Sequence, residues 1–203
     1  MYSFIAGEVM PRSTVQSEHM QIIDQHILDA RIEGINLTSG TLQEEMGNSI
    51  VLFVFLRHFG CLFSKEMVID AKKMMEENPF APKPIFFYQG TVKDGQSFFD
   101  KYWPQARAIA DLNQRFYKAF SVKSGGMKEM FGPDVWKCGL RAAAKGLIIG
   151  KPIGDPFTLT STLLAQRNLI LWNHQSSHAG DLPDLSKLEH FPQFASTVYT
   201  TPR

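Results

Sequence analysis

Seven consecutive apolar residues, 50–56 (IVLFVFL), constrain the fold of this chain more than any other segment. A half-buried strand alternates apolar and polar residues, whereas a short continuous apolar run is typical of a strand buried on both faces. Such strands lie at the centre of sheets that helices cover on both sides. The run therefore predicts an α/β protein with residues 50–56 as a central strand, and it is too short to span a membrane.

Helical and strand patterns alternate after this strand. Apolar residues recur at helical spacing over residues 62–77, and Asn78-Pro79 ends that helix because the residue before proline leaves the helical region. Further patterns predict strands over 84–89, 106–110, 157–165 and 168–172, helices over 96–102, 113–120 and 185–190, and a partly helical insertion over 121–151. This order predicts a central mixed sheet flanked by helices, with an antiparallel hairpin near its end.

The first part of the chain is less regular. The pattern predicts a helix over residues 14–30 and a short helix over 42–46, for which Thr41 and Glu44 have the spacing of a capping box. We expect residues 1–40 to form an N-terminal extension packed on a single domain of residues 41–203.

Composition excludes several classes of protein. The 203 residues include 21 Lys+Arg and 20 Asp+Glu, so the net charge of +1 gives no electrostatic reason to expect nucleic acid or a membrane as partner. Two cysteines cannot form the framework of a small disulfide-rich protein. The first residues lack the pattern of a signal peptide, so we expect a cytoplasmic protein whose thiols stay reduced.

Cys61 lies where chemistry is expected, at the junction of the buried strand and the helix over 62–77. Unpaired N–H groups at a helix start favour an anion, and a thiolate is such an anion. Arg57 and His58 add possible positive charge, and Glu66 could accept a hydrogen bond or assist proton transfer. The pattern favours a reactive cysteine, with an inert packing cysteine as the alternative.

Residues 57–61 (RHFGC), together with Glu66, resemble the redox motif of the peroxiredoxin-like branch of the thioredoxin superfamily, which is related to alkyl hydroperoxide reductase C and thiol-specific antioxidant proteins. Similar segments follow at 83–90 (KPIFFYQG), 131–136 (FGPDVW), 154–157 (GDPF) and 178–184 (HAGDLPD). The resemblance covers residues 41–188. It implies a thioredoxin-like fold and a cysteine that attacks a peroxide or a disulfide.

The sequence departs from the family pattern at several positions. Ser64 stands where many members have the second cysteine of Cys-x-x-Cys, and His58 stands where typical peroxiredoxins have threonine or serine. Val54 and Thr160 stand at or near positions where the family has proline. The arginine that typical peroxiredoxins place beside the cysteine has two candidates, Arg57 and Arg141.

Two further residues have alternative interpretations. Ser64 could donate a hydrogen bond to the Cys61 thiolate, or it could be an ordinary polar residue of the first helical turn. Cys138 could act as the resolving residue for oxidised Cys61, but a packing cysteine is the favoured interpretation because nothing in its local sequence activates it.

Together, these features predict a thiol-based oxidoreductase that reduces a peroxide or disulfide without a metal or organic cofactor. The expected catalytic residues are Cys61, Ser64, His58, Arg57 and Glu66. An external thiol, glutathione or a thioredoxin-like protein, would regenerate the cysteine, and a homodimer is possible. Two alternatives stay open: a redox-inactive scaffold with this fold, and a reductase of one hydrophobic endoperoxide-type substrate.

Overall fold

The computed structural model describes residues 21–38 and 40–188 of the chain. Its strands are β1 (Gln21–Ile22), β2 (Gly34–Ile35), β3 (Val51–Phe55), β4 (Lys83–Tyr88), β5 (Arg107–Ala110), β6 (Ser161–Gln166) and β7 (Leu169–Gln175). Its helices are α1 (Gln25–Leu28), α2 (Leu42–Met46), α3 (Leu62–Glu77), α4 (Val92–Tyr102), α5 (Arg115–Ala119), α6 (Met127–Phe131) and α7 (Pro133–Ala144), followed by a 3-10 helix (Leu185–Leu188).

The strands form one mixed sheet in the order β1-β7-β6-β3-β4-β5-β2. β3 pairs parallel with β4 and antiparallel with β6, so the apolar run 50–56 supplies a central strand as predicted. β6 and β7 form the predicted antiparallel hairpin. Residues 21–38, within the predicted N-terminal extension, contribute the short edge strands β1 and β2.

Alternate side chains of β3 enter two different cores, since successive residues of a strand point to opposite faces of the sheet. Leu52 and Val54 pack with the apolar side of α3 and with Phe98 and Phe99 of α4. The opposite core contains residues of β3 and β4 with α1, α2 and α5, including Phe53, Phe55, Ile85, Phe87, Leu28, Leu42 and Phe116. Both faces of β3 are fully buried, which explains why the run is continuously apolar.

The insertion forms a third apolar cluster at one end of the sheet. Met130 of α6, Ala142 of α7 and Leu147 pack there against Cys61 and Phe63 at the start of α3. The insertion therefore lies over the cysteine. No helix within residues 21–38 and 40–188 has the length and apolarity needed to cross a membrane.

Several predicted bounds were wrong. The predicted helix over 14–30 begins outside the described residues, and within them Gln21 and Ile22 pair with β7, which leaves only Gln25–Leu28 helical. The helix predicted over 185–190 is a 3-10 helix over Leu185–Leu188, and residues 189–190 lie outside the described part.

Two further elements differ because of hydrogen bonds near their first residues. α4 begins at Val92 rather than at residue 96, because Thr91 and Asp94 form a capping box that starts the helix earlier. β6 begins at Ser161 rather than at residue 157. The segment before it pairs with residues 123–125 instead, since the Leu159 N–H donates to the Lys123 carbonyl at 2.9 Å and the Gly125 N–H donates to the Phe157 carbonyl at 2.8 Å.

Tyr117 of α5 fixes the strand end that leads into the cysteine turn. Its hydroxyl lies 2.5 Å from the Leu56 carbonyl and 2.8 Å from the Phe87 carbonyl.

We expect Tyr117→Phe to lower the free energy of unfolding by ~1–2 kcal/mol, because a buried carbonyl loses its partner. Urea denaturation measures this, with Tyr102→Phe as the control. Equal losses in the two variants would contradict the prediction.

Candidate active site

Cys61 occupies the N-cap position of α3, directly after a tight turn. Its backbone N–H donates to the His58 carbonyl at 3.0 Å, and its own carbonyl accepts the Lys65 N–H at 3.3 Å. Gly60 is required in this turn, because a Cβ there would lie 2.4 Å from the Gly150 carbonyl oxygen. The side chain of Cys61 makes no capping hydrogen bond and is 5% exposed.

Arg57 is buried and binds four atoms around the turn. Its Nη1 donates to the Cys61 Sγ at 3.0 Å, and its Nη2 donates to the Met130 Sδ at 2.8 Å. Nε donates to the Thr158 carbonyl at 2.8 Å and Nη2 to the Pro156 carbonyl at 2.7 Å. Of the two arginines that the sequence offered, Arg57 is therefore the one beside the cysteine. A cationic donor at this distance stabilises a thiolate over a thiol.

His58 follows Arg57 in the cysteine turn, and its imidazole ring is uncharged at neutral pH. Burial, followed by the neighbouring charge of Arg57, lowers the pKa of His58 from 6.5 to about 4. Its Nδ1 is buried and has no hydrogen-bond partner among the described residues. At neutral pH this position therefore offers an uncharged imidazole whose nitrogens can accept or donate a hydrogen bond.

Ser64 lies one helical turn after Cys61 and is completely buried. Its Oγ has no hydrogen-bond partner within residues 21–38 and 40–188. The hydrogen bond to the Cys61 sulfur that the sequence allowed is therefore not made in this structure.

Glu66 binds cations of the insertion. Its buried carboxylate lies 2.9 Å from Arg141 Nε and 2.9 Å from Lys145 Nζ. Burial acts to raise the pKa of Glu66, but the hydrogen bonds and charges of Arg141 and Lys145 outweigh it and hold that pKa below its usual value. Lys145 also contacts Asp70 at 2.8 Å. These ion pairs attach α7 to α3, which is a structural use for Glu66.

Cys138 lies on α7, half-buried beside the cluster that contains Cys61. Arg141 Nη1 donates to its Sγ at 3.8 Å, a long and weak contact. Gly180 packs closely on it, because a Cβ on Gly180 would lie 2.4 Å from the Cys138 Cβ. These contacts agree with a packing role, and its use as a resolving residue stays a prediction.

A cavity of about 660 Å³ opens above Cys61. Its walls are mostly apolar and come from the cysteine turn, the insertion and the segment before β6: Arg57, His58, Cys61, Leu62, Phe63, Met130, Phe131, Val135, Trp136, Gly139, Leu140, Ile149, Pro156 and Phe157. The last eleven of these residues were not predicted to belong to the site from the sequence. A signal was present, because residues 131–136 and 154–157 are two of the segments that carry the family resemblance.

No family model and no curated protein matches the chain. Solved structures do match, and they include peroxiredoxins and disulfide oxidoreductases. This chain has a thioredoxin-like fold. The expected fold is thereby confirmed, with its mixed sheet and flanking helices.

Three of the matching structures illustrate the likeness. The bacterioferritin comigratory protein of Xanthomonas campestris is 13% identical with a TM-score of 0.51, covering 78% of this chain and 88% of that one. PrxQ of Xylella fastidiosa is 17% identical with a TM-score of 0.50, covering 80% and 89%. A secreted Mycobacterium tuberculosis disulfide oxidoreductase homologous to E. coli DsbE is 11% identical with a TM-score of 0.51, covering 82% and 96%. At these identities the likeness establishes the thioredoxin-like fold alone.

The Arg57 contact predicts a difference between the two cysteines. We expect Cys61 to be alkylated faster than Cys138 at neutral pH, and Arg57→Gln to slow Cys61 roughly tenfold or more, as the loss of a charge-assisted hydrogen bond implies. Alkylation rates with peptide mapping measure both thiols in one sample. Arg141→Gln is the matched control and should leave the Cys61 rate unchanged. A Cys61 rate that is insensitive to Arg57, in a variant that still melts cooperatively, would show that the contact does not activate the thiol.

The low pKa of His58 predicts how stability changes with pH. Because the folded pKa of about 4 lies below the unfolded value of 6.5, the unfolded state binds a proton first as pH falls. His58 therefore destabilises the fold progressively from pH 6.5 down to about 4. His58→Gln should remove this contribution, so the variant gains stability relative to the parent across that window. Urea denaturation at several pH values measures the difference, and a difference independent of pH would contradict the assignment.

Proposed function

We propose that this protein is a thiol-based oxidoreductase that reduces a peroxide or a disulfide through Cys61. The observation that carries the proposal is the 3.0 Å contact from Arg57 Nη1 to the Cys61 Sγ, at a helix start that faces the cavity. The thiolate is the nucleophile in both reactions. Matching structures include peroxiredoxins and disulfide oxidoreductases, and one of them, the Xanthomonas campestris protein, has alkyl peroxide reduction activity.

With a peroxide, the first step is a displacement at oxygen. The Cys61 thiolate attacks the terminal peroxide oxygen, so an S–O bond forms, the O–O bond breaks and an alkoxide leaves. The alkoxide takes up a proton, which balances the one lost when the thiol ionised. Cys61 is oxidised to a sulfenic acid and the peroxide is reduced to an alcohol. Arg57 stabilises the attacking sulfur, and the neutral His58 imidazole can hydrogen-bond the peroxide where typical peroxiredoxins have a hydroxyl.

Regeneration requires a second thiol. An external thiol condenses with the sulfenic acid, releasing water and leaving a mixed disulfide, and another thiol then reduces that disulfide. Ser64 cannot take this role because a hydroxyl does not form a disulfide. Glutathione or a thioredoxin-like protein fits this requirement, in a reducing compartment such as the cytoplasm.

A second candidate is supported by the cavity. Its walls above Cys61 are largely aromatic and aliphatic, including Phe63, Val135, Trp136 and Leu140, which suits a bulky hydrophobic peroxide better than hydrogen peroxide. Attack on an endoperoxide would proceed by the same S–O bond formation, but the leaving alkoxide would stay attached to the substrate. A second thiol would then release a diol and form a disulfide with Cys61.

The test is turnover by Cys61→Ser. We expect the variant to lose reduction of hydrogen peroxide, cumene hydroperoxide and a model disulfide with glutathione as reductant, since a serine hydroxyl stays protonated near neutral pH. It should melt like the parent because the change is nearly isosteric. Cys138→Ser is the matched control and should retain turnover. A parent protein whose Cys61 is not oxidised by any of these reagents would instead support the redox-inactive scaffold.

The variant Ser64→Cys tests what becomes of the Cys61 sulfur after it is oxidised. Residues three apart at a helix start have Cα atoms roughly 5–6 Å apart, within the range of a disulfide. The variant should therefore stop at a loss of two hydrogens under graded peroxide, whereas the parent should accumulate sulfenic and then sulfinic adducts on Cys61. Intact-mass spectrometry separates these products. A Cys61–Cys138 disulfide in the parent would show that Cys138 resolves the sulfenic acid and that no external thiol is needed for that step.

A further inference from the structure

Large exposed apolar side chains are concentrated around the mouth of the cavity. Seven of the eleven in the described residues lie between positions 127 and 157, at 42% to 75% exposure: Met127, Phe131, Trp136, Leu140, Ile148, Ile149 and Phe157. Five of the seven also line the cavity. We call these seven residues the apolar rim. An exposed apolar patch of this kind marks a surface that binds a protein, a membrane or a ligand.

The backbone beneath the rim is held in place. Trp136 and Leu140 are four residues apart on α7, so they form one ridge on the helix. The backbone under Ile148 is fixed by Lys65, whose Nζ donates to the Ile148 carbonyl at 2.6 Å. Gly150 donates to the Gly60 carbonyl at 2.9 Å. The rim is therefore preformed, and its side chains project from an anchored scaffold.

Exposed lysines lie beside the rim. Residues 121–157 contain six basic and three acidic residues, but two of the basic residues, Arg141 and Lys145, pair with Glu66 and Asp70 of α3. Lys128, Lys137 and Lys151 are exposed and stand next to or within one turn of rim residues. All three carboxylates are engaged locally: Glu129 accepts the Gly126 N–H at 2.7 Å, Asp134 pairs with Lys137 at 3.2 Å, and Asp155 accepts the Phe157 N–H at 2.9 Å. The rim thus combines exposed apolar residues with the exposed lysines Lys128 and Lys151.

We propose that the apolar rim binds the surface of an anionic phospholipid bilayer, with the cavity mouth facing the acyl chains. Aromatic and aliphatic side chains flanked by lysines are the composition of segments that lie in the membrane interface. The balanced charge of the whole chain predicted no membrane partner, but the exposed lysines Lys128 and Lys151 beside the rim complement anionic headgroups. Resting on the proposed function, this orientation gives Cys61 direct access to peroxides dissolved in the bilayer.

Vesicle binding by the full chain tests the proposal, because the measurement does not depend on turnover at Cys61. The protein is sedimented with vesicles of phosphatidylcholine alone and of phosphatidylcholine mixed with phosphatidylserine. We expect binding to the mixed vesicles and roughly tenfold or more weaker binding by the double variant Trp136→Gln/Leu140→Gln, which loses exposed apolar area. Phe80→Gln/Leu112→Gln is the matched control, because it removes exposed apolar side chains outside the rim and should bind like the parent.

Two further variants separate the electrostatic contribution to membrane binding from the apolar one, and membrane binding from peroxide turnover. Lys128→Gln/Lys151→Gln should weaken binding to the mixed vesicles by roughly fivefold for each lysine removed, and should change binding to phosphatidylcholine little. Cys61→Ser should bind vesicles like the parent, so that loss of peroxide turnover and loss of membrane binding are distinguishable.

Three outcomes would overturn the proposal. The parent protein could stay in the supernatant with both vesicles, or the Phe80/Leu112 control could lose as much binding as the rim variant. The parent could also be a dimer by light scattering that Trp136→Gln/Leu140→Gln converts to a monomer, without vesicle binding. That result would make the rim an interface between two copies of this chain.

Discussion

The buried guanidinium of Arg57 holds the site together. A charge away from water must be fully hydrogen-bonded, and Arg57 finds its partners in three segments: the cysteine turn, α6 and the residues before β6. Met130 and Thr158 lie 73 and 101 residues further along the chain. Satisfying one side chain therefore positions Cys61 and draws the cavity walls around it.

Two neighbouring residues of α3 are also buried charged side chains that bind distant segments of the chain. Lys65 binds the Ile148 carbonyl, and Glu66 binds Arg141 and Lys145, so both are buried by the insertion. In an isolated amphipathic helix they would form a solvated face. Here polar contacts attach the insertion to the helix that begins at the cysteine, while the insertion leaves other apolar side chains, such as Trp136, facing outward.

The sequence predicted those parts of the fold whose cause is local. The bounds of α2 and α3 follow from a capping box and from Asn78-Pro79, and both were predicted to the residue. Features that depend on distant partners were missed: β1 exists because it pairs with β7, and β6 starts late because the residues before it pair with residues 123–125. The start of α4 was predictable from the sequence, since Thr91 and Asp94 have the spacing of a capping box.

The site was predictable to the same extent. The position of Cys61 at a helix start follows from a buried strand, a glycine and an amphipathic helix in succession. The choice between Arg57 and Arg141 does not follow from the sequence, because both are arginines near glycines and only the tertiary contacts show that Arg141 is held by Glu66.

The Arg57 guanidinium, which contacts the sulfur, also helps to keep His58 neutral, since a second cation beside it is unfavourable. At any pH well above 4 the cavity wall therefore carries one fixed positive charge, which contacts the sulfur, and one neutral imidazole. Arg57 is thus a fixed cationic donor at the sulfur, in a cavity whose walls are otherwise mostly apolar.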